Sequence, residues 1–138
     1  MDRLIVLDKL ESLQRCLKRV EAARADSVDV LRGDVDRQDI ISLNLARAVQ
    51  LCVDLAMHLV AERGEPPPRT MGEAFDRLAG MGLIEDPVRR GMRAAVGFRN
   101  IAVHSYQDID WAIVHAITHE HLGDFSAFAR VVAGLVDG

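Results

Sequence analysis

Arg99, Asn100, His104 and Tyr106 fall in one run, Arg99-Asn100-Ile101-Ala102-Val103-His104-Ser105-Tyr106, with apolar residues set between them. These are side-chain types that chemistry at phosphorus uses. A guanidinium is a permanent planar cation that can hold two phosphate oxygens at once. An imidazole takes and gives protons near neutral pH. A phenol can bond, or be modified. Arg99 is therefore a candidate for stabilising charge on a phosphate, and His104 a candidate base. Asn100 is a candidate for orienting His104 or the phosphate, and Tyr106 is a candidate acceptor hydroxyl.

The neighbourhood of the run is cationic. No Asp or Glu occurs from Pro87 to Gln107, while Arg89, Arg90, Arg93 and Arg99 do, in a chain whose formal net charge is -4. Such a stretch is where an acidic protein is expected to take an anionic ligand. Geometry then constrains the motif. On one helix Arg99 and Tyr106, seven apart, share a face, as do Asn100 and His104, four apart. Arg99 and His104 are five apart, about 140° round the axis at the usual repeat. One helix does not easily aim both at one atom. Either the helix ends near His104, or a second copy of the motif completes the site across a symmetric dimer.

The elements that must position these residues read as helices. Val6, Leu10, Leu13, Leu17 and Val20 step by four and three, an amphipathic helix from about residue 2 to residue 24. Its other face carries Asp8, Lys9, Glu11, Arg15, Lys18 and Arg19 and reads as solvated. Residues 25–33 are a connector with one helical turn at Ser27–Leu31. Asp34 or Asp36 caps a long helix to about Glu62, with Ile41, Leu45, Ala48, Cys52, Leu55, Ala56 and Leu59 on its buried side. Asp54 and His58, four apart, are expected to form a surface ion pair. Gly64 and Pro66-Pro67-Pro68 stop that helix. Thr70 and Glu73 form a capping box for a short helix through Leu78, followed by a glycine turn at residues 79–83. Asp86-Pro87 reads as N-cap and first residue of the motif helix. Trp111 begins a last helix to about Val136.

At 138 residues the chain is expected to be one domain, residues 1–138, with a substantial core. Apolar residues make up 49% but aromatics only 4%, which favours helices over a sandwich. No window alternates like a strand. The expected fold is all-α, an antiparallel bundle of about five helices. Cys16 and Cys52 both sit in apolar helical patterns and read as buried thiols in a reducing compartment. The apolar run at residues 4–7 is too short for a signal sequence or a membrane span, so a soluble cytoplasmic protein is the expectation.

The motif resembles that of the HEPN superfamily, and of the HepT-like (DUF86) ribonuclease toxins within it. Those carry Arg, four residues with a polar first one, His, any residue, Tyr. Here the pattern is Arg99, residues 100–103, His104, Ser105, Tyr106. Val103 before the histidine, and Asp108 and Asp110 after the tyrosine, also fit. The likeness extends through the long second helix, the short helix at Phe75-Asp76-Arg77-Leu78 and the glycine turn. It implies a HEPN-like homodimer with facing motifs and a metal-independent endoribonuclease. It also implies a minimal nucleotidyltransferase (MntA-like) antitoxin that transfers AMP from ATP to the motif tyrosine, here Tyr106. No cofactor is implied. RNA cleavage without a metal suits the residues: His104 would deprotonate the 2′-OH and Arg99 would stabilise the pentavalent phosphorane. Arg89, Arg90 and Arg93 are then candidates for RNA binding.

Other readings compete. His115 and His119, four apart, could chelate a metal, but two ligands do not make a site and His121 falls near an apolar stripe. No metal site is assigned. The chain could also be a non-catalytic HEPN nucleotide- or protein-binding module, or a substrate-binding subunit for a nucleotidyltransferase. The intact Arg99/His104 pair favours the enzyme.

Overall fold

Capping side chains set most of the helix boundaries. The computed structural model describes residues 2–137. Helix α1 (Arg3–Ala23) starts at Asp2, whose carboxylate accepts from the N–H groups of Leu4 and Ile5. Ser27 caps the single-turn α2 (Val28–Arg32), and Asp34 caps α3 (Val35–Glu62). Arg37 ties this corner together. Its guanidinium donates to the α1 carbonyls of Ala23 at 3.0 Å and Arg24 at 2.7 Å, and pairs with Asp34 at 3.0 Å. Carbonyls orphaned at the end of α1 are thereby satisfied.

Helix α3 stops in a Schellman motif. The N–H of Gly64 bonds to the Ala61 carbonyl and that of Glu65 to the Val60 carbonyl, with Gly64 at φ 73°. Arg77 then anchors the proline loop by donating to the Pro66 carbonyl. Thr70 caps α4 (Met71–Gly80) by accepting from the Glu73 N–H. The return bond of the expected capping box is shifted by one residue, since Glu73 accepts from the N–H of Arg69. Gly82, at φ 75°, closes α4 in the same way as Gly64 closes α3.

Helix α5 (Asp86–His104) begins one residue earlier than the Asp-Pro signal suggests. Glu85 is its N-cap and makes no side-chain cap bond. Asp86 is the first helical residue, because its carboxylate is held by Arg89 and Arg90 and cannot turn back onto the backbone. A 3₁₀ turn (Tyr106–Asp108) leads to α6 (Trp111–Ala116), a π turn (Ile117–His121) and α7 (Leu122–Asp137). The last three run on as one rod. The π turn coincides with Thr118, whose hydroxyl bonds back to the His115 carbonyl at 2.8 Å while Arg24 reaches the Thr118 carbonyl at 3.4 Å. The bundle of about five helices is thus present, with α2 as an extra single turn and no strand among the described residues.

One core runs through the bundle. α3 packs against α1, α4, α5 and α7. It is long and apolar enough to cross a membrane, but 56% of its apolar window is buried in the bundle. Phe75 and Phe128 meet edge-to-face at 5.4 Å in the middle of the core, both fully buried. Truncating either to Ala should cost about 3–5 kcal/mol. Cys16 and Cys52 are buried free thiols, and burial pushes both above the ordinary thiol range. Asp54 does not pair with His58. It accepts from Lys9 at 3.3 Å and Gln50 at 2.9 Å, because α1 lies across that part of α3 and offers a closer cation.

Candidate active site

Helix α5 ends at His104. Ser105 leaves helical geometry, although its N–H still bonds to the Ile101 carbonyl at 2.8 Å. His104 therefore stands exposed at the helix terminus, while Arg99 projects, half-buried, from the preceding turn. The helix does end at His104, yet Arg99 and His104 both lie within it, so the end alone does not bring the two side chains together.

Asn100 holds Arg99 and not His104. Its side-chain oxygen accepts from an Arg99 Nη at 3.3 Å. Arg99 has no carboxylate partner among the described residues, so its charge is available to a ligand. Ile101 and Val103, between the polar residues of the motif, are 43% and 52% exposed.

Tyr106 does not continue the face of Arg99, because the helix has ended. It sits on the 3₁₀ turn, where Trp111 packs edge-on against its ring at 6.1 Å. Its hydroxyl donates to Asp39 of α3 at 2.7 Å. Local sequence shows the acid-free stretch around Tyr106 and misses this carboxylate, which lies 67 residues away. The phenol is raised above its ordinary range, first by burial and then by Asp39. The buried Ser42 hydroxyl, which has no hydrogen-bond partner at bonding distance, lies near enough to oppose the shift.

The other arginines of the stretch are compensated from outside it. Arg93 pairs with Asp76 of α4 at 2.6 Å, and Arg89 pairs with Asp76 at 3.1 Å and Asp86 at 2.7 Å. Arg90 reaches Asp86 at 3.0 Å. Arg89 is held above its ordinary range by Asp86 and then Asp76. Gly72 allows this clamp, since a side chain there would meet the Arg93 guanidinium at 3.0 Å. Arg89 and Arg93 therefore brace α4 against α5 through Asp76, Arg90 is paired within α5, and Arg99 alone of the four has no carboxylate partner among the described residues.

The histidines beyond the site are spread out. The rings of His115 and His119 lie 4.2 Å apart, but His119 bonds to the Ala25 carbonyl and His121 turns to Asp124. Among the described residues no three His, Cys, Asp or Glu side chains gather as a metal site.

An all-helical bundle with arginine and histidine in the last turns of one helix, and tyrosine on the turn that follows it, fits a HEPN domain. Comparison with known proteins narrows this. A family model described as ribonuclease HepT-like matches residues 9–132, and the chain belongs to the HepT-like ribonuclease family. It is 34% identical over 128 residues to the mRNA nuclease HepT of Shewanella oneidensis, covering 93% of this chain and 96% of that protein. It is 24% identical over 110 residues to the tRNA nuclease HepT of Aphanizomenon flos-aquae, covering 80% of this chain and 75% of that one. The solved structure of the tri-AMPylated HEPN toxin of Shewanella oneidensis in complex with its MNT antitoxin superposes with a TM-score of 0.88, at 32% identity over 97% of this chain and 98% of that one.

Proposed function

We propose that the chain is a metal-independent endoribonuclease toxin, neutralised by a minimal nucleotidyltransferase antitoxin that transfers AMP to Tyr106. The observation that carries it is the placement of His104 and an uncompensated Arg99 at the open end of α5, with Tyr106 fixed beside them. His104 takes the 2′-OH proton, and the alkoxide attacks the adjacent phosphorus. Arg99 stabilises the phosphorane with its planar fork, and Asn100 holds that fork. The bond to the 5′-oxygen breaks, that oxygen takes a proton from solvent and leaves as a 5′-hydroxyl, and a 2′,3′-cyclic phosphate remains.

The complex of the Shewanella toxin with an antitoxin, and its AMPylated state, support the partner and the modification. AMP on Tyr106 would place a negative phosphate and a purine beside Arg99, pairing with the cation and blocking the RNA. The enzyme works as a two-fold homodimer, which the exposed Ile101 and Val103 support. Arg89, Arg90 and Arg93 reach RNA only when it displaces Asp76 and Asp86. Buried, free Cys16 and Cys52 agree with a cytoplasmic protein.

The test is cleavage of purified RNA in EDTA. Products ending in 2′,3′-cyclic phosphate support the reading. A strict Mg²⁺ requirement, or 3′-hydroxyl ends, would refute the mechanism.

A further inference from the structure

The arginines that stay uncompensated are mostly not in the motif helix. A groove of about 630 Å³ runs between α1 and α3, and Arg15, Arg19 and Arg47 line it together with Ser12, Asn44 and Gln50. Arg19 and Arg47 have no carboxylate partner among the described residues. Arg15 reaches Glu11 only at 3.9 Å. Asp54, one turn beyond Gln50 on α3, is engaged by Lys9 and Gln50. Buried Cys16 also lines the groove, and Arg47, Arg15 and Arg19 lie near enough to oppose the upward shift that burial gives its thiol. Like charges gathered in one groove repel, and an acidic chain that places two unpaired arginines beside a weakly paired third offers them to an anion.

The groove also lies toward the active end. Arg47 is eight residues beyond Asp39 on α3, about 12 Å along the axis. Asp39 is the residue that holds Tyr106. Exposed Leu43 stands between Asp39 and Arg47 on the same side of the helix. On α1, Arg15 and Arg19 are four apart, about 6 Å along the axis, so the cations form a row and not a point. The lining has amide and hydroxyl groups and no aromatic residue. That composition suits a sugar–phosphate backbone better than stacked bases or an apolar peptide.

We propose that this α1/α3 groove binds the phosphodiester backbone of RNA flanking the scissile bond, with Arg15, Arg19 and Arg47 on its phosphates. The inference rests on the RNA-cleaving reading given above. It extends the RNA footprint from the motif along α3 to the α1/α3 groove, and makes the groove, not the Arg89–Arg93 stretch, the main electrostatic track.

The experiment measures binding of a short unstructured RNA by fluorescence anisotropy across a salt series, in a His104→Ala parent so that no cleavage occurs. In that parent, Arg19→Gln with Arg47→Gln should weaken binding at low salt by about tenfold. It should also reduce the slope of log K against log salt by roughly 0.7 per arginine, about 1.4 for the pair. Arg19→Lys with Arg47→Lys should keep most of the slope. Gln50→Glu, which leaves the arginines in place and adds a carboxylate to the wall, should weaken binding in the same direction. Unchanged affinity and slope in the glutamine pair would overturn the proposal. So would intact RNA binding combined with lost binding of the nucleotidyltransferase, which would make the groove a protein surface. If the wild type cleaves no RNA but the glutamine pair still loses affinity and slope, the nuclease reading falls and the groove stands.

Discussion

The hydroxyl of Tyr106 donates to Asp39 at 2.7 Å, joining the turn after the motif helix to the first third of α3. The bond fixes the one tyrosine of the chain at the edge of the site. It also gives that tyrosine a ready proton acceptor. A phenol must lose its proton to attack a phosphoanhydride, and Asp39 is placed to receive it.

Asp39→Asn should therefore slow AMP transfer to Tyr106 by a nucleotidyltransferase while leaving the tyrosine in place. Mass spectrometry of the modified peptide over time gives the rate. The same variant offers a second reading. Because Tyr106 is the only tyrosine, phenolate absorbance reports it alone. Its midpoint should lie above the ordinary value of about 10 in the wild type and move down in Asp39→Asn. The sign for stability follows. A raised folded pKa helps the fold below the ordinary phenol value, and that help is lost as pH climbs above it. A faster reaction with the Asn variant would exclude Asp39 as the acceptor.

His104→Ala should remove RNA cleavage with almost no change in melting temperature, since His104 is exposed at the end of α5. Removing a general base typically costs about 10²–10⁴ in rate. Arg99→Lys should also lose most activity, because an ammonium lacks the planar fork that Asn100 positions. Wild-type turnover with lysine would mean that Arg99 supplies charge alone.

Local signals made most of the fold legible. Ser27, Asp34 and Thr70 each cap a helix through a bond three residues ahead, which a reader of the sequence can see. The end of α5 was one of two options that the Arg99–His104 spacing left open. What stayed hidden depends on distant partners. Asp39 reaches Tyr106 across 67 residues, and Asp76 reaches Arg93 across 17. An acid-free stretch looked cationic because its counter-charges come from α4 and from Asp86 just before it. Arg15 and Arg19 read as a solvated face because Arg47, which turns them into a groove, belongs to another helix. The π turn left no sequence signal.

Ile101 and Val103 give a test of the dimer. Both are exposed beside Arg99 and His104, and in the proposed dimer a charge at either would be forced into the interface between two motif helices. Val103→Asp should shift the protein from dimer to monomer in light scattering and reduce cleavage in parallel. A monomeric variant with full activity would show that one chain carries a complete site.

Asp76 decides whether the remaining arginines can serve RNA. It holds Arg93 at 2.6 Å and Arg89 at 3.1 Å, and these pairs are partly exposed. Losing exposed pairs of this kind costs roughly 0–1 kcal/mol each, so Asp76→Asn should fold. Its effect should appear in binding. Freed from Asp76, Arg93 becomes an unpaired cation on α5, while Arg89 keeps Asp86. RNA affinity at low salt should rise, and the salt slope should steepen by roughly 0.7 for the one added phosphate contact. Arg93→Gln in the wild type should then change affinity little, because the guanidinium it removes was already neutralised. If Arg93→Gln instead weakens binding as much as a groove arginine does, RNA must displace Asp76 on binding, and the cationic stretch of α5 belongs to the footprint.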